Sequence, residues 1–209
     1  MLAIERRNEI LMKLQAERRV VVSELSQLYD VSEETIRRDL EKLVNEGVAI
    51  KSYGGAVINE NANLEVPFNI RKNYNVIGKQ KIAEQIAAMV KDGESLMLDA
   101  SSTAVYNAKA LKEKKNLTVI TNSIEIIVEL MEMPEWKVRS TGGLSREGSF
   151  ALVGPQTDKM LKSYHVDKAV ISCKGFDLES GITDSDELHA NNKITMLGAA
   201  GKKILAVDK

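Results

Sequence analysis

The chain has 209 residues, 29 Lys/Arg against 30 Asp/Glu for a net charge of −1, and 44% hydrophobic residues, room for one large or two modest domains with true cores. No apolar run of about 18 residues and no N-terminal signal pattern is visible, so a soluble cytoplasmic protein is expected, and a single cysteine, Cys173, excludes an intrachain disulfide and fits a reducing compartment. The 9 Lys/Arg and 10 Asp/Glu of residues 1–58 exclude a bulk basic field, so any grip on nucleic acid must come from how charges are arranged, and a weak field favours a dimer or larger assembly on repeated half-sites.

Residues 3–15 carry Ile4, Ile10, Leu11 and Leu14 at helical spacing, which predicts a first helix. Arg18 and Arg19 then lead into Val20-Val21-Val22, a β-branched triplet that suggests a short strand able to pair with a later hairpin. Over residues 22–43 two short helices are expected about a break at Tyr29-Asp30-Val31, with Ser32 as N-cap of the second, which begins near Glu33. Leu25 and Leu28 should point inward and Val31 should fill the angle. Ile36, Leu40 and Leu43 fall at i, i+4 and i+7, an apolar stripe that Val44 widens. The opposite face carries Glu34, Arg38, Glu41 and Lys42, with Thr35 and Arg37 on its flanks.

Two readings fit that pair: a helix-turn-helix, whose second helix enters a major groove, or an ordinary helical hairpin with a wet face. Residues 47–58 favour the first. They read as a C-cap glycine, a strand, a Gly54-Gly55 turn and a second strand. Such a hairpin is a wing, and Lys51, Tyr53 and the backbone amides of Gly54 and Gly55 could meet phosphates or the minor groove.

Arg6 and Ile10, followed by SELSQLYDVSEETIRRDLEKLVNEGVAIKSYGGAV, closely resemble the DeoR-type family of bacterial repressors of sugar metabolism; the specific run is Val31-Ser32-x-x-Thr35-Ile36-Arg37-Arg38-Asp39-Leu40. The resemblance implies that Ser32, Thr35, Arg37 and Arg38 contact operator DNA.

Residues 59–67 are polar, Asn-rich and end in Pro67, the composition of an interdomain linker. A long helical stretch is expected from 68 to 90, with Ile82, Ile86, Met89 and Val90 on its buried side. Lys72, Lys79 and Lys81 could form a second basic patch, but a solvated helix face is the simpler reading. From residue 95 onward short apolar strands near 95–98, 117–120, 136–139, 168–171 and 203–207 alternate with helical segments near 103–114, 123–132, 155–164 and 187–199. That alternation predicts an α/β domain with a mostly parallel sheet covered on both faces, binding ligands at the carboxyl ends of its strands.

The strand exits carry the chemistry. Asp99-Ala100-Ser101-Ser102-Thr103 puts small hydroxyls at a strand-to-helix turn, suited to a phosphate or only to an N-cap by Ser102 or Thr103. Thr121-Asn122-Ser123, Thr141-Gly142-Gly143 and the run 172–177, with Lys174, are exits of the same kind on the same edge. The run 181–187 reads as a polar helix entry, where Asp184 either binds sugar hydroxyls or, as preferred here, caps the helix. These positions match in order the effector domain of DeoR-type proteins, whose fold is similar to ribose-5-phosphate isomerase and CoA-transferase relatives. The resemblance implies a phosphorylated sugar as inducer, with Asp99, Ser101, Ser102, Thr103, Asn122, Gly142, Gly143, Lys174 and Glu187 as candidate contacts. The chain departs from the family where Ala100 or Ser101 stands in place of a glycine, and at Val207-Asp208-Lys209, where the family continues; an early end to the sheet or a truncated chain is expected.

The expected organisation is thus a winged helix-turn-helix domain (1–58), a linker (59–67) and an effector-sensing domain (68–209). Its expected function is that of a repressor released by a sugar phosphate. The alternative is a sugar-phosphate isomerase-like enzyme with Asp99, Lys174 and Glu187 as conceivable acid–base groups. It lacks a paired acid–base signature, and His165 and His189 stand alone. Cys173, His165 and His189 lack ligand spacing, so neither metal nor cofactor is expected.

Overall fold

The computed structural model describes residues 1–59 and 68–207, with Ile70 described by its backbone alone. The chain divides into two compact units, Met1–Val66 and Pro67–Lys209. Apart from Asn59, the expected linker lies outside the described residues, as do Asp208 and Lys209.

The first unit runs α1 (Ala3–Glu17), β1 (Arg19–Val21), α2 (Val22–Tyr29), α3 (Glu33–Asn45), β2 (Ala49–Ser52) and β3 (Gly55–Ile58). The valine triplet forms the expected strand: β1 pairs antiparallel with β3, giving the order β1-β3-β2. Ser32 caps α3 by accepting from the Thr35 amide, and Ile36, Leu40 and Leu43 are buried beneath it. Two expected core positions are instead on the surface. Leu28 is 60% exposed because the inner face of α2 runs through Val22, Leu25 and Tyr29, and Ile4 is 59% exposed because α1 turns Arg6, Ile10, Leu11 and Leu14 inward.

Arg6 is buried for a reason. Its Nε donates to Asp39 Oδ2 at 2.6 Å, and Arg7 reaches Oδ1 of the same carboxylate at 3.3 Å, so α1 is tied to α3 by a charge pair that the core seals. Gly55 lies in β3 rather than in the turn. A Cβ there would stand 2.0 Å from the Val20 carbonyl oxygen, so its lack of a side chain is what lets β1 lie alongside.

In the second unit the expected long helix is broken into α4 (Phe68–Asn73) and α5 (Val76–Met89) by Asn75, whose φ of 47° is left-handed and whose side chain caps α5. Met89 is exposed. Lys79 is not on a solvated face: it is 3% exposed and donates to the Tyr74 carbonyl, while Lys72 pairs with Glu125 at 2.5 Å and Lys81 alone of the three is exposed.

The chain then continues β4 (Ser95–Leu98), α6 (Ser102–Ala110), β5 (Thr118–Thr121), α7 (Ile124–Leu130), β6 (Lys137–Ser140), β7 (Leu144–Arg146), β8 (Ala151–Val153), α8 (Pro155–Lys162), β9 (Val166–Ile171), β10 (Gly175–Asp177), β11 (Gly181–Thr183), α9 (Glu187–Gly198) and β12 (Ala200–Leu205). Five strands form one parallel sheet, ordered β12-β9-β4-β5-β6. Leu96, Leu98 and Val119 pack with α5, α6 and α7, whereas Met97, Ile120, Ala169 and Ile171 pack with Leu161 of α8 and Met196 of α9. Helices therefore cover both faces, as expected of strands that read as apolar runs. Two antiparallel hairpins, β7–β8 and β10–β11, are additions that the apolar pattern did not indicate; residues 181–183 are strand, not helix entry.

Candidate functional site

Two polar regions stand out, one in each unit. On α3 the outward face carries Arg37 and Arg38, with side chains 55% and 73% exposed. Neither guanidinium is in the core, but neither stands alone: Arg37 bonds Glu33 at 2.6 Å and Arg38 meets Glu34 at 3.3 Å, each one turn back. Exposed pairs of this i, i+4 kind contribute about 0.3–0.5 kcal/mol, so both arginines can exchange partners readily. Ser32 and Thr35 share a hydrogen bond between their hydroxyls at 2.9 Å. Lys42 is exposed, Lys51 lies 3.9 Å from Glu41, and Tyr53 is wholly exposed at the hairpin tip. Between α3 and the hairpin runs a groove of about 360 Å³ that Arg37, Glu41 and Lys51 help to line. Gly54, with φ of 75° and open space where a Cβ would stand, makes the turn, and its carbonyl accepts from the Val22 amide at 2.8 Å.

In the second unit all strands of the main sheet are parallel, so the exits of β4, β5, β6 and β9 open on one rim. Asp99 sits at its centre and is 2% exposed. One carboxylate oxygen accepts from the Ser101 amide and hydroxyl, at 3.2 and 2.6 Å; the other accepts from the Ser172 amide at 2.9 Å. Asp99 thus braces two loops. Ser101, not Ser102 or Thr103, is the N-cap of α6, accepting from Ala104 at 3.0 Å, so its hydroxyl is committed in both directions. Ser102 and Thr103 are buried; their amides belong to the first turn, where no intrahelical carbonyl can reach.

The charge opposite Asp99 comes from α9. Lys193, unmarked in the sequence reading, places its ammonium 4.0 Å from Asp99 and 2.5 Å from Asp184. Asp184 also accepts from the Asp186 amide, and it is Asp186 that caps α9 by accepting from His189, so the capping role expected of Asp184 falls to its neighbour. Burial alone would raise the Asp184 carboxyl, but the hydrogen bond and charge of Lys193 outweigh it and hold it below the ordinary aspartate value. Cys173 feels the same three charges. Burial pushes its thiol up, with Lys193 opposing and Asp184 and Asp99 reinforcing, which keeps it a neutral packed side chain beside the rim.

Asn122, 2% exposed, follows β5, and its amide nitrogen donates to the Leu152 carbonyl at 3.0 Å. Asn192 of α9, also 2% exposed and unmarked in the sequence reading, donates to that same carbonyl at 3.2 Å. The signal that could have found it is an asparagine one turn before the buried Met196, where an apolar stripe should continue. Gly142 and Gly143 have structural duties: the Gly142 carbonyl accepts from Thr157 at 2.7 Å, and a Cβ on Gly143 would meet the Thr157 hydroxyl at 2.2 Å. Lys174, in the loop after β9, and Glu187, the first residue of α9, are exposed. Arg146 of β7 bonds Asp186 at 2.7 Å, joining the hairpin to the start of α9.

Comparison with known proteins matches residues 6–62 to the DeoR-like helix-turn-helix domain and residues 74–209 to the DeoR C terminal sensor domain. The chain is 43% identical to an uncharacterized HTH-type transcriptional regulator, YulB, of Bacillus subtilis (strain 168), over 100% of this chain and 80% of that one. It is 37% identical to the L-fucose operon activator of Haemophilus influenzae, over 90% and 75% of the two chains, and 29% identical to a putative aga operon transcriptional repressor of Escherichia coli O157:H7, over 98% and 77%. Among solved structures, ribose 5-phosphate isomerase A of Methanocaldococcus jannaschii aligns at a TM-score of 0.44 and 21% identity, over 63% of this chain and 52% of that one.

Proposed function

The chain belongs to the DeoR family of DNA-binding transcriptional regulators, and from that premise we propose that it represses a sugar-metabolism operon until a phosphorylated sugar occupies the rim of its second unit. What supports the DNA half is the outward pair Arg37 and Arg38 beside a hairpin whose tip, Tyr53, is wholly exposed. A nearly neutral molecule can hold a polyanion if a few exposed, loosely paired cations share one face. Ser32 and Thr35 open α3 into the groove, Arg37 and Arg38 reach base edges or phosphates, and Lys42, Lys51 and the hairpin grip the flanking backbone. Two copies on two half-sites supply the affinity that one weakly charged copy lacks, so a dimer or tetramer in the cytoplasm is the working form.

The effector half rests on donors. The first-turn amides of α6 and the Lys193 ammonium are the groups at the rim suited to a phosphate, and Ser102 and Thr103 offer hydroxyls beside them. The effector favours the arrangement of the oligomer that does not fit the operator; coupling of about 1–3 kcal/mol changes operator affinity roughly 5- to 150-fold.

The test is a gel shift on a duplex selected from a random-sequence pool, with and without a panel of pentose and hexose phosphates. Retention of a selected duplex and release by one or more sugar phosphates is the expected result; no release by any of them overturns induction. Ser102→Ala should leave duplex binding intact and blunt release.

A further inference from the structure

Two acceptor atoms at the rim are left without a donor among the described residues. The amide nitrogens of Asn122 and Asn192 converge on the Leu152 carbonyl, and among the described residues neither Oδ1 has a hydrogen-bond partner although both are sealed from solvent. The shared carbonyl fixes which end of each side chain is oxygen, since only the amide nitrogen can donate to it. Leu152 cannot easily move aside, because its own amide donates to the Asn122 backbone carbonyl at 2.7 Å. An acceptor withheld from both water and protein is costly to keep, and native interiors hold few. Here two point from one anchor.

Their position ties them to the effector site. Thr121 pairs with Leu98 across the sheet, so Asn122, one residue on, lies beside Asp99; Asn192 immediately precedes Lys193, whose ammonium is 4.0 Å from Asp99. Both asparagines therefore flank the Asp99–Lys193 pair. Bare carbonyl oxygens repel the oxygens of a phosphate, which must go to the donors of α6 and Lys193. What they accept is a hydroxyl proton.

We propose that Asn122 and Asn192 are specificity-determining residues that read two free hydroxyls of the sugar at the end away from its phosphate. This inference rests on the effector reading above and narrows it: the ligand is a phosphorylated polyol or sugar that keeps both hydroxyls, and a deoxy sugar phosphate is rejected. A ligand reaches these atoms only if the rim opens. The Arg146–Asp186 bridge, 50% exposed on the arginine side, is a contact that parts at little cost.

The experiment is calorimetric titration of the full chain with fructose 1-phosphate, glucose 6-phosphate, ribose 5-phosphate and inorganic phosphate, then with the monodeoxy analogues of whichever sugar binds. For the parent, removing the hydroxyl that is read should weaken binding at least roughly tenfold. Asn192→Leu, similar in shape but without polar atoms, should weaken the full sugar by a like factor and lose its discrimination against the analogue. Should that variant not fold, the parent's discrimination decides alone. Equal affinity for the sugar and all its deoxy analogues, or for inorganic phosphate and the sugar, overturns the inference while leaving a phosphate site in place. If none of the sugar phosphates binds the parent, the effector reading fails and takes this inference with it.

Discussion

The two units handle polar groups in opposite ways. On α3 the arginines stand 55% and 73% exposed, each held by one glutamate a turn away, whereas at the sensor rim the side chains of Asp99, Asp184 and Lys193 are 3%, 4% and 14% exposed. Exposed pairs are worth about 0–1 kcal/mol and trade partners freely; a buried pair that loses one member costs about 3–5 kcal/mol. On the function proposed above, the face that meets a long polyanion is left soft, and the rim that takes a small molecule is held by its own network.

The sharpest way to break this contrast is at its exception, the sealed Arg6–Asp39 pair behind α3. Asp39→Ala strands Arg6 and should destabilise the first unit by about 3–5 kcal/mol, removing its calorimetric transition while that of the second unit stays; a loss under about 1 kcal/mol would mean that the pair is not a brace. Next comes the rim. Lys193→Met leaves Asp99 and Asp184 without their cation and should cost the second unit about 2–4 kcal/mol in denaturant titration, a variant that melts like the parent contradicting the network.

The same network sets an acid limit. The carboxyls of Asp184 and Asp186 are held below the ordinary aspartate value, for Asp184 against burial by Lys193, and for Asp186 against burial by the His189 amide, the nearby His189 ring and Arg146. A lowered folded value means stability that is fully present above the unfolded aspartate range and is lost as pH falls through the folded values. Acid unfolding followed by Trp136 fluorescence should therefore set in below about pH 4, and Asp184→Asn should flatten the curve. The smallest effect belongs to the soft face: Glu34→Gln frees Arg38, shifts stability by less than about 0.5 kcal/mol and tightens duplex binding by roughly twofold.

The same physical divide governs what could be read from the sequence. The inner strands β4, β5 and β9 were legible because each is an apolar run, the edge strands β6 and β12 rested on shorter apolar stretches beside charged residues, and Ser32 announced α3 by its position. The hairpins β7–β8 and β10–β11 were not, because Leu144 and Phe176 are exposed at 67% and 57% and leave no alternating pattern. The Arg6–Asp39 and Lys193–Asp99 pairs join residues far apart in the chain, so only the misfit of a charge or amide within a stripe could hint at them. Asp39 beside Ile36, Leu40 and Leu43 was such a misfit. Asp184 and Asp186 are equally good local caps, and only the fold, which brings Lys193 to one of them, separates their roles. Leu28 shows the converse, an apolar residue whose helix is too short to bury a second row.

The central claim is that two exposed arginines give a nearly neutral regulator its grip on DNA. The direct measurement is fluorescence anisotropy of a selected duplex titrated with the parent and with Arg37→Ala/Arg38→Ala, alongside their melting temperatures. At about 1–3 kcal/mol for each base-edge contact, the double variant should bind at least roughly thirtyfold more weakly and melt like the parent. Parent-like affinity in a folded double variant would contradict the account.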